Sequence, residues 1–274
     1  ASPSSSSLFA WLLSQYTTQW VIPPAYAPAA LQICITAFPL GVLFGLVLPR
    51  VFAFLVDGSL YTAVARLLMQ TQAAQQQQLE GSWWCFPQLS IYLLAWSLFH
   101  LLEFTVTAAY NPTRLYSDSF LLNNGIHYHV AHVVALIEFA VTASVVPSTK
   151  RPGILTLVGL LLVVFGQVFR SGAMIHASKN FSHIVADKKR QDHELVTTGV
   201  YAWVRHPSYV GFFYWALGTQ LLLGNVVATL GFVVTLYKFF SNRIRAEERY
   251  LVEFFGDQYR LYRKTTGSGL PFIK

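Results

Sequence analysis

Charged residues and cysteines are both scarce in this sequence. Only 11% of its 274 residues carry a charge, whereas soluble domains average about 25%. Hydrophobic residues make up 54% of the chain and the mean hydropathy is +0.45, which excludes an ordinary soluble domain and indicates an integral membrane protein. The two cysteines, Cys34 and Cys85, lie in or beside apolar segments, and this excludes a disulfide framework and a cysteine-based metal site.

Hydrophobic runs long enough to cross a bilayer recur along the chain. A spanning helix needs roughly 20 predominantly apolar residues, with a range of about 17–25. Runs of this kind predict eight spans, at approximately 8–22, 28–48, 51–69, 84–109, 127–146, 153–176, 207–223 and 225–242. The first run is short and contains several polar residues, so an interfacial helix is the alternative there.

Two tight turns are predicted between these spans. Gly224 and Asn225 alone separate the last two spans, which forces an antiparallel helical hairpin. Pro49 and Arg50 are expected to make a similar turn between the second and third spans. Neither a soluble domain nor an internal repeat is evident in the sequence, so the chain is expected to form one membrane domain.

Basic residues collect on one side of this predicted topology. With eight spans, the 177–206 loop and the segment after residue 241 share a side with both termini, and these two segments hold most of the lysines and arginines. The opposite side holds little beyond Lys150 and Arg151. Because positively charged loops are retained in the cytosol, the sequence predicts that the 177–206 loop and both termini face the cytosol.

Several ionisable side chains lie inside the predicted spans, where such groups mark functional sites by default. His100 and Glu103 are three residues apart, so they share a helix face and can pair. Arg170 stays charged, and two interpretations are open, because it either snorkels to the cytosolic interface or lines a site. Three histidines lie near the start of the fifth span: His127, His129 and His132. Interhelical hydrogen bonding is favoured over metal binding for them, because no nearby carboxylate or cysteine completes a metal site.

The richest polar stretch is TTGVYAWVRHPSYVG (197–211). Pro207 suits the first position of a helix, and the four free N–H groups of such a helix start attract the carboxylate or phosphate of a ligand. Gly199 permits a turn that returns Tyr201 and Trp203 to the membrane. An aromatic belt at the interface explains these two side chains, but it does not explain the Gly, Arg-His-Pro and second tyrosine beside them.

A second polar cluster, NRIRAEERYL (242–251), stands at the end of the last span. Arg243 and Glu247 are four residues apart on one helical face. A surface ion pair with positive-inside anchoring explains the cluster when it is taken alone. The predicted hairpin returns Arg243 to the start of the 207–223 helix, and this makes a functional site an equal alternative.

These two clusters resemble the isoprenylcysteine carboxyl methyltransferase family of the endoplasmic reticulum membrane. The resemblance rests on HELVTTGVYAWVRHPSYVGFFYW (193–215) and RAEERYLVEFFGDQYRLYRKTTGSGLPFI (245–273), and it extends over roughly 176–274. The shorter pattern RHPxYxG with a later EE is shared with phospholipid N-methyltransferases and sterol reductases. The longer motif and the GLPFI tail are specific to the carboxyl methyltransferases.

The resemblance implies that S-adenosylmethionine is the cofactor, held on the cytosolic side, and that S-adenosylhomocysteine is the product. It implies that Arg243 faces the substrate and serves in catalysis, and it implies no metal. The implied cofactor contacts are Ala186, His193, Glu194, Leu195, Val196, Tyr201, His206, Pro207, Ser208, Tyr209 and Glu247. Ala186 and Glu194 are expected to make their contacts through the backbone, since the family more often has a neutral residue at the position of Glu194.

The implied reaction is methyl esterification of the C-terminal carboxylate of a farnesylated or geranylgeranylated cysteine, in CaaX-type proteins such as small GTPases after proteolysis. A free α-carboxyl has a pKa of roughly 3.3–3.7, so it is already an anion at cytosolic pH and needs no general base. The guanidinium of Arg243 matches a carboxylate. The apolar prenyl tail is expected to enter from membrane lipid, between the sixth span and the 207–242 hairpin. Nucleic acid is not an expected partner.

The predicted fold class is therefore an all-α integral membrane protein with about eight transmembrane helices and a C-terminal cytosolic cofactor-binding region. Residues 1–176 supply the N-terminal helices, and residues 177–274 supply the loop, hairpin and tail that form the cofactor site. Three other functions are open: a phospholipid N-methyltransferase, an NADPH-dependent sterol reductase, and a scaffold or transporter. Polar groups crowd at one cytosolic corner rather than along a midplane path, which argues against transport.

Overall fold

The computed structural model describes residues 27–56 and 82–273. These two ranges contain no β-strand, and their regular structure consists of helices joined by short 3-10 turns and irregular loops. The α-helices in them are α1 Ala27–Val56, α2 Pro87–Tyr110, α3 Ile126–Val145, α4 Ile154–Ala177, α5 Pro207–Leu223, α6 Val226–Phe255 and α7 Asp257–Thr265. The predicted 8–22 span and residues 57–69 of the predicted 51–69 span lie outside the described residues.

Four helical segments are long and apolar enough to cross a membrane by length and composition. In the described part of the chain these are Ala29–Val56, Pro87–Tyr110, Ile126–Val145 and Ile154–Asn180. The predicted 207–223 and 225–242 segments are helical too, but α5 has only 17 residues and α6 continues well beyond residue 242. The all-helical membrane class is therefore confirmed, and the number of eight spans stays a prediction.

The turn predicted at Pro49 and Arg50 is wrong. Helix α1 runs without interruption through Pro39, Pro49 and Arg50 to Val56. Proline removes one backbone hydrogen bond and crowds the preceding turn. The sequence around it, however, is apolar on both sides, and a turn at this depth would expose several backbone groups to hydrocarbon. Membrane helices therefore tolerate proline where soluble helices end.

Helices α4 and α5 approach each other to backbone contact. A Cβ atom added to Gly166 would lie 2.5 Å from the carbonyl oxygen of Gly211, and one added to Gly218 would lie 2.7 Å from the backbone nitrogen of Val163. Small residues at such interfaces let membrane helices pack closely. The entry for the prenyl tail was predicted between the sixth span, which is α4, and the hairpin of α5 and α6. The contact between α4 and α5 closes the α5 side of that predicted entry.

The predicted hairpin between α5 and α6 is confirmed. Gly224 ends α5 in the left-handed region, with φ of 62°, and α6 begins two residues later. Lys150 is 2% exposed, and its Nζ donates to the carbonyl oxygens of Leu223 and Gly224 at 3.1 and 2.8 Å and to Asn225 Oδ1 at 3.0 Å. A cation at a helix C-terminus complements the negative end of the helix dipole. Lys150 therefore stabilises the tip of the hairpin from the α5 side.

Glu138 of α3 stabilises the same tip from the α6 side. Its carboxylate accepts hydrogen bonds from the backbone N–H groups of Val226, Val227 and Ala228, at 2.7, 2.9 and 2.7 Å. These are N–H groups that the first turn of a helix leaves without partners. Glu138 thus acts as the cap that the sequence next to α6 does not provide.

An aromatic core lies between α2 and the hairpin. The rings of Phe99 and Trp215 are 4.4 Å apart between centroids, and Phe240 of α6 joins them in the same buried cluster. The core holds α5 and α6 together. It thereby fixes the position of the polar residues that follow along both helices.

Candidate active site

A cavity opens at the C-terminal end of α4, beneath the loop that connects α4 to α5. Its empty space is about 680 Å³, part of which is open to solvent. Ten of the eleven residues predicted to contact a cofactor line this cavity: His193, Glu194, Leu195, Val196, Tyr201, His206, Pro207, Ser208, Tyr209 and Glu247. The eleventh, Ala186, lines an adjoining cavity that shares His193 and Glu247 with the first. We name the first cavity the polar cavity.

Gly199 produces the turn that brings Tyr201 into the polar cavity. Its φ is +58°, and an added Cβ would lie 2.5 Å from the ring of His176. The same imidazole makes a 3.0 Å hydrogen bond to the hydroxyl of Thr198 and stacks on the ring of Tyr201. Trp203 is 74% exposed, so the aromatic-belt interpretation suits Trp203 but not Tyr201.

Helix α5 begins at Pro207, as predicted, but its first turn offers fewer free donors than expected. Pro207 has no N–H group, and the N–H groups of Tyr209 and Val210 both donate to the carbonyl oxygen of His206 at 3.0 Å. The helix start alone is therefore a weak anion site. Side chains must supply most of the recognition in this cavity.

The two neighbouring glutamates of α6 have different surroundings. Glu248 is 5% exposed and accepts hydrogen bonds from Arg205 Nη2 at 2.6 Å and His206 Nε2 at 3.2 Å, while Arg263 Nε lies 3.3 Å away. Burial acts to raise the pKa of Glu248, but the bonds from His206 and Arg205 outweigh it and the pKa is lowered. Glu248 is thus a charged structural anchor, whereas Glu247 faces the polar cavity.

Arg205 extends this anchor to the C-terminal segment. Its backbone N–H donates to the carbonyl oxygen of Gly267 at 2.8 Å, and its guanidinium donates to the carbonyl oxygen of Thr266. The hydroxyl of Tyr262 in α7 donates to the carbonyl oxygen of Tyr201. Helix α7 therefore forms the outer wall of the polar cavity. Sequence reasoning missed these roles of Arg205 and Glu248, although the doublet EE near an RHP motif was the available signal.

Arg243 and Glu247 do not pair directly, because the hydroxyl of Tyr209 lies between them. Tyr209 donates to Glu247 Oε2 at 2.6 Å and accepts from Arg243 Nε at 2.8 Å. Arg243 Nη2 donates to the carbonyl oxygen of His183. The hairpin thus returns Arg243 to the start of α5, as the sequence predicted.

Arg243 lines a second cavity, which we name the arginine cavity, with about 410 Å³ of empty space. It shares Phe181, Ser182, Ser208 and Tyr209 with the polar cavity. Its other polar residues are Asn124, Arg170 and His183. The rest of its wall is apolar or aromatic and consists of Leu121, Phe212, Phe239 and Phe240. The two cavities therefore meet at the first turn of α5, with Glu247 lining one and Arg243 lining the other.

Arg170 does not snorkel to the interface. It is 6% exposed, its Nη2 donates to Glu103 Oε2 at 2.8 Å, and its Nη1 donates to Ser208 Oγ at 2.9 Å. His183 Nε2 makes a 2.9 Å contact with the same carboxylate oxygen. Of the two interpretations of Arg170, the structure supports the one in which it lines a site. Glu103 is the counter-ion that the sequence did not assign to it.

Two histidines of the spans, His100 and His132, make interhelical or loop contacts. His100 does not pair with Glu103, because its Nδ1 lies 2.7 Å from the carbonyl oxygen of Phe120 and its Nε2 lies 2.8 Å from the hydroxyl of Tyr128. His132 Nδ1 lies 2.7 Å from the hydroxyl of Tyr92, which joins α3 to α2. Within residues 27–56 and 82–273, no group of three or more His, Cys, Asp or Glu side chains is arranged to hold a metal ion.

Comparison with known proteins adds to this geometry. Residues 157–253, from α4 to the end of α6, match the model of the isoprenylcysteine carboxyl methyltransferase (ICMT) family. The Saccharomyces cerevisiae protein-S-isoprenylcysteine O-methyltransferase is 50% identical over 194 residues, which cover 69% of this chain and 81% of that protein. The chain belongs to the isoprenylcysteine carboxyl methyltransferase family.

Other members of the family are similar over comparable lengths. The Schizosaccharomyces pombe protein-S-isoprenylcysteine O-methyltransferase is 52% identical over 192 residues, covering 65% of this chain and 80% of that protein. The Homo sapiens protein of the same name is 46% identical over 183 residues, covering 67% of this chain and 64% of the human protein. A solved structure of the eukaryotic intramembrane Ras methyltransferase ICMT aligns with a TM-score of 0.69 and 31% identity, over 92% of this chain and 99% of that chain.

Proposed function

We propose that this protein transfers the methyl group of S-adenosylmethionine to the C-terminal carboxylate of a prenylated cysteine. The observation that carries this proposal is the meeting of the polar cavity and the arginine cavity at Tyr209 and Ser208. A methyl donor and a carboxylate acceptor must be held within contact distance, and two cavities with a common wall provide that arrangement. The names of the relatives support the same activity.

The residues of the polar cavity fit S-adenosylmethionine, which would supply an electrophilic methyl group there. Aromatic rings of Tyr201, Phe255 and Tyr259 suit a purine, and the carboxylate of Glu247 suits an amine, a ribose hydroxyl or a sulfonium. Burial and the nearby cations Arg190 and Arg114 lower the pKa of His193, which favours the neutral form of its ring.

Arg243 is the residue that we expect to hold the acceptor carboxylate. Its Nε and Nη2 atoms already donate to Tyr209 and His183, and Nη1 has no hydrogen bond within the described residues. The charge of Arg170 is balanced by the buried Glu103, so Arg243 is the better anion clamp of the two. Because the carboxylate is ionised at cytosolic pH, the reaction needs orientation and exclusion of water rather than a base.

The apolar walls of the arginine cavity suit the prenyl chain. Phe239 of α6 is 47% exposed, and Leu121 and Asn124 of the loop before α3 also line the cavity. An opening between the 121–124 loop and α6 would admit an apolar tail from the bilayer. We therefore propose an opening on the α6 side of the hairpin, because α5 is closed against α4.

The setting of the proposed reaction follows from the predicted topology. We propose an endoplasmic reticulum location with the site facing the cytosol, and CaaX-type proteins such as small GTPases as substrates. Residues 177–274 would form the cofactor site. Residues 1–176 would supply the membrane helices, including Glu103 and Arg170, which support the site from below.

The proposal is tested with purified protein in lipid nanodiscs, labelled S-adenosylmethionine and farnesylcysteine as the acceptor. We expect a base-labile methyl ester, and failure to form it in any lipid would contradict the proposal. Phosphatidylethanolamine as acceptor, and NADPH in a binding assay, test the alternative lipid methyltransferase and reductase functions.

A substitution on α6 separates the roles within the site. Arg243→Ala should lower kcat/KM by about a hundredfold or more, equivalent to about 2.7 kcal/mol, without loss of cofactor binding. Arg249→Ala is the matched control, since Arg249 is exposed on the same helix and lines neither cavity. Normal turnover by Arg243→Ala would remove this residue from the mechanism.

A further inference from the structure

The hydroxyl of Tyr209 links an acidic side chain of one cavity to a basic side chain of the other. It donates to Glu247 in the polar cavity and accepts from Arg243 in the arginine cavity, at 2.6 and 2.8 Å. Tyr209 was predicted from the sequence only as a cofactor contact. Its position between an acid and a base of the same helix face indicates a different task.

A phenol is suited to this position because it has one proton and two acceptor lone pairs. When the proton points to a carboxylate, the oxygen becomes a stronger acceptor for a guanidinium, and bonds to charged groups are roughly twice as strong as neutral ones. The ring itself is fixed. His206 stacks parallel to it with centroids 5.5 Å apart, and Phe240 packs against it at 5.2 Å. The oxygen therefore has little freedom to move.

Arg243 would have another partner if this hydroxyl were absent. Residues 243 and 247 are four apart on one helix, a spacing at which opposite charges pair directly. Such a pair would draw the guanidinium toward the polar cavity and neutralise it. Tyr209 occupies the space between the two groups, and it holds Nε while Nη1 is left without a partner in the described chain.

We propose that Tyr209 is a positioning residue for Arg243, which keeps the guanidinium turned toward the acceptor carboxylate and apart from Glu247. This inference rests on the proposed function, in which Arg243 binds that carboxylate. It predicts that the hydroxyl governs acceptor binding more than cofactor binding.

Tyr209→Phe tests the inference, because phenylalanine keeps the ring contacts and removes only the hydroxyl. We expect the acceptor KM to rise about tenfold, equivalent to about 1.4 kcal/mol, while the Kd for S-adenosylmethionine measured by calorimetry is unchanged. Tyr214→Phe is the control. Tyr214 lies on the same helix, packs against Phe165 and Phe213, and lines neither cavity.

A double variant distinguishes positioning from a general structural role. In Tyr209→Phe with Glu247→Gln, the competing carboxylate is gone, so the acceptor KM measured at saturating cofactor should recover part of the loss. A structural defect would instead make the double variant worse than either single variant. The melting temperature of each protein is measured beside the kinetics.

Two results overturn the inference while leaving the proposed function intact: an unchanged acceptor KM in Tyr209→Phe, or a double variant whose acceptor KM is higher than that of either single variant. A wild-type protein that forms no methyl ester on any prenylcysteine overturns the proposed function itself, and the inference with it. The wild-type assay therefore tells the two failures apart.

Discussion

Glu138 should contribute to stability well beyond its own helix. The perturbation is Glu138→Ala, which leaves the N–H groups of Val226, Val227 and Ala228 without their acceptor. Hydrogen bonds to charged groups are worth about 1.5–3 kcal/mol each, but these three share one carboxylate and do not add. Val226 and Val227 are exposed, so water or headgroups can partly replace their bonds.

The loss is therefore dominated by the buried Ala228 and by the helix dipole. One charge-assisted bond of about 2 kcal/mol and a dipole interaction of about 1 kcal/mol give about 3 kcal/mol. In a protein of this size each kcal/mol corresponds to about 2–4 °C in melting temperature, so Glu138→Ala should melt about 6–12 °C lower. Glu138→Gln keeps an acceptor oxygen but no charge, so its melting temperature should lie between those of the wild type and Glu138→Ala.

The assay is thermal unfolding followed by intrinsic tryptophan fluorescence, in one detergent and at one scan rate because membrane proteins often unfold irreversibly. Glu253→Ala serves as the control, since Glu253 is an exposed carboxylate on α6. A Glu138→Ala protein that melts with the wild type would refute the reasoning. So would a Glu138→Gln protein that melts below Glu138→Ala.

Further predictions concern the packing and charges around the site. Glu103→Gln leaves the buried Arg170 without its counter-ion, a change that costs about 3–5 kcal/mol of folding stability. Methyl-ester formation and melting temperature should therefore both fall, and an unchanged melting temperature would contradict this prediction. An added Cβ at Gly166 would meet backbone atoms at 2.5 Å, so Gly166→Leu should elute as an aggregate in size-exclusion chromatography. An added Cβ at Gly172 would meet nothing within 4 Å, so Gly172→Leu should elute as the wild type does. The pKa of Glu248 is lowered on folding, so its stabilisation is complete above the unfolded value of 4.5 and is lost as the pH falls below 4.5 through the lowered value. Hydrogen-exchange protection of the segment after α7 should weaken in that acidic range, and in Glu248→Gln it should already be weak at neutral pH.

Local chemistry made the hairpin and one wall of the site predictable. Gly224 and Asn225 favour a turn, and Pro207 after the polar loop favours a helix start, so the return of Arg243 to Tyr209 follows from helix length. The ten predicted cofactor contacts that line the polar cavity are also close in sequence, between residues 193 and 209, apart from Glu247. Such features depend on neighbours along the chain.

The contacts that support the site could not be predicted because they join distant segments. Glu103 and Arg170 are 67 residues apart, and nothing in the sequence near either one selects the other. The spacing of His100 and Glu103 correctly indicates a shared helix face, but each side chain finds a partner on another element. At Pro49, a rule from soluble helices failed because hydrocarbon makes a broken helix more costly than a missing bond.

The cap that Glu138 provides also constrains how the chain enters the membrane. Glu138 precedes Val226 by 88 residues, so α3 is synthesised long before the helix end that it caps. An acidic side chain within a lone spanning helix costs at most about 2.5–3.5 kcal/mol, the value for the helix centre, so we expect α3 alone to stay in a shallow or water-accessible position. We therefore expect α3 to insert fully only after the α5–α6 hairpin has been synthesised, and we expect α3 and the hairpin to insert into the bilayer in one step.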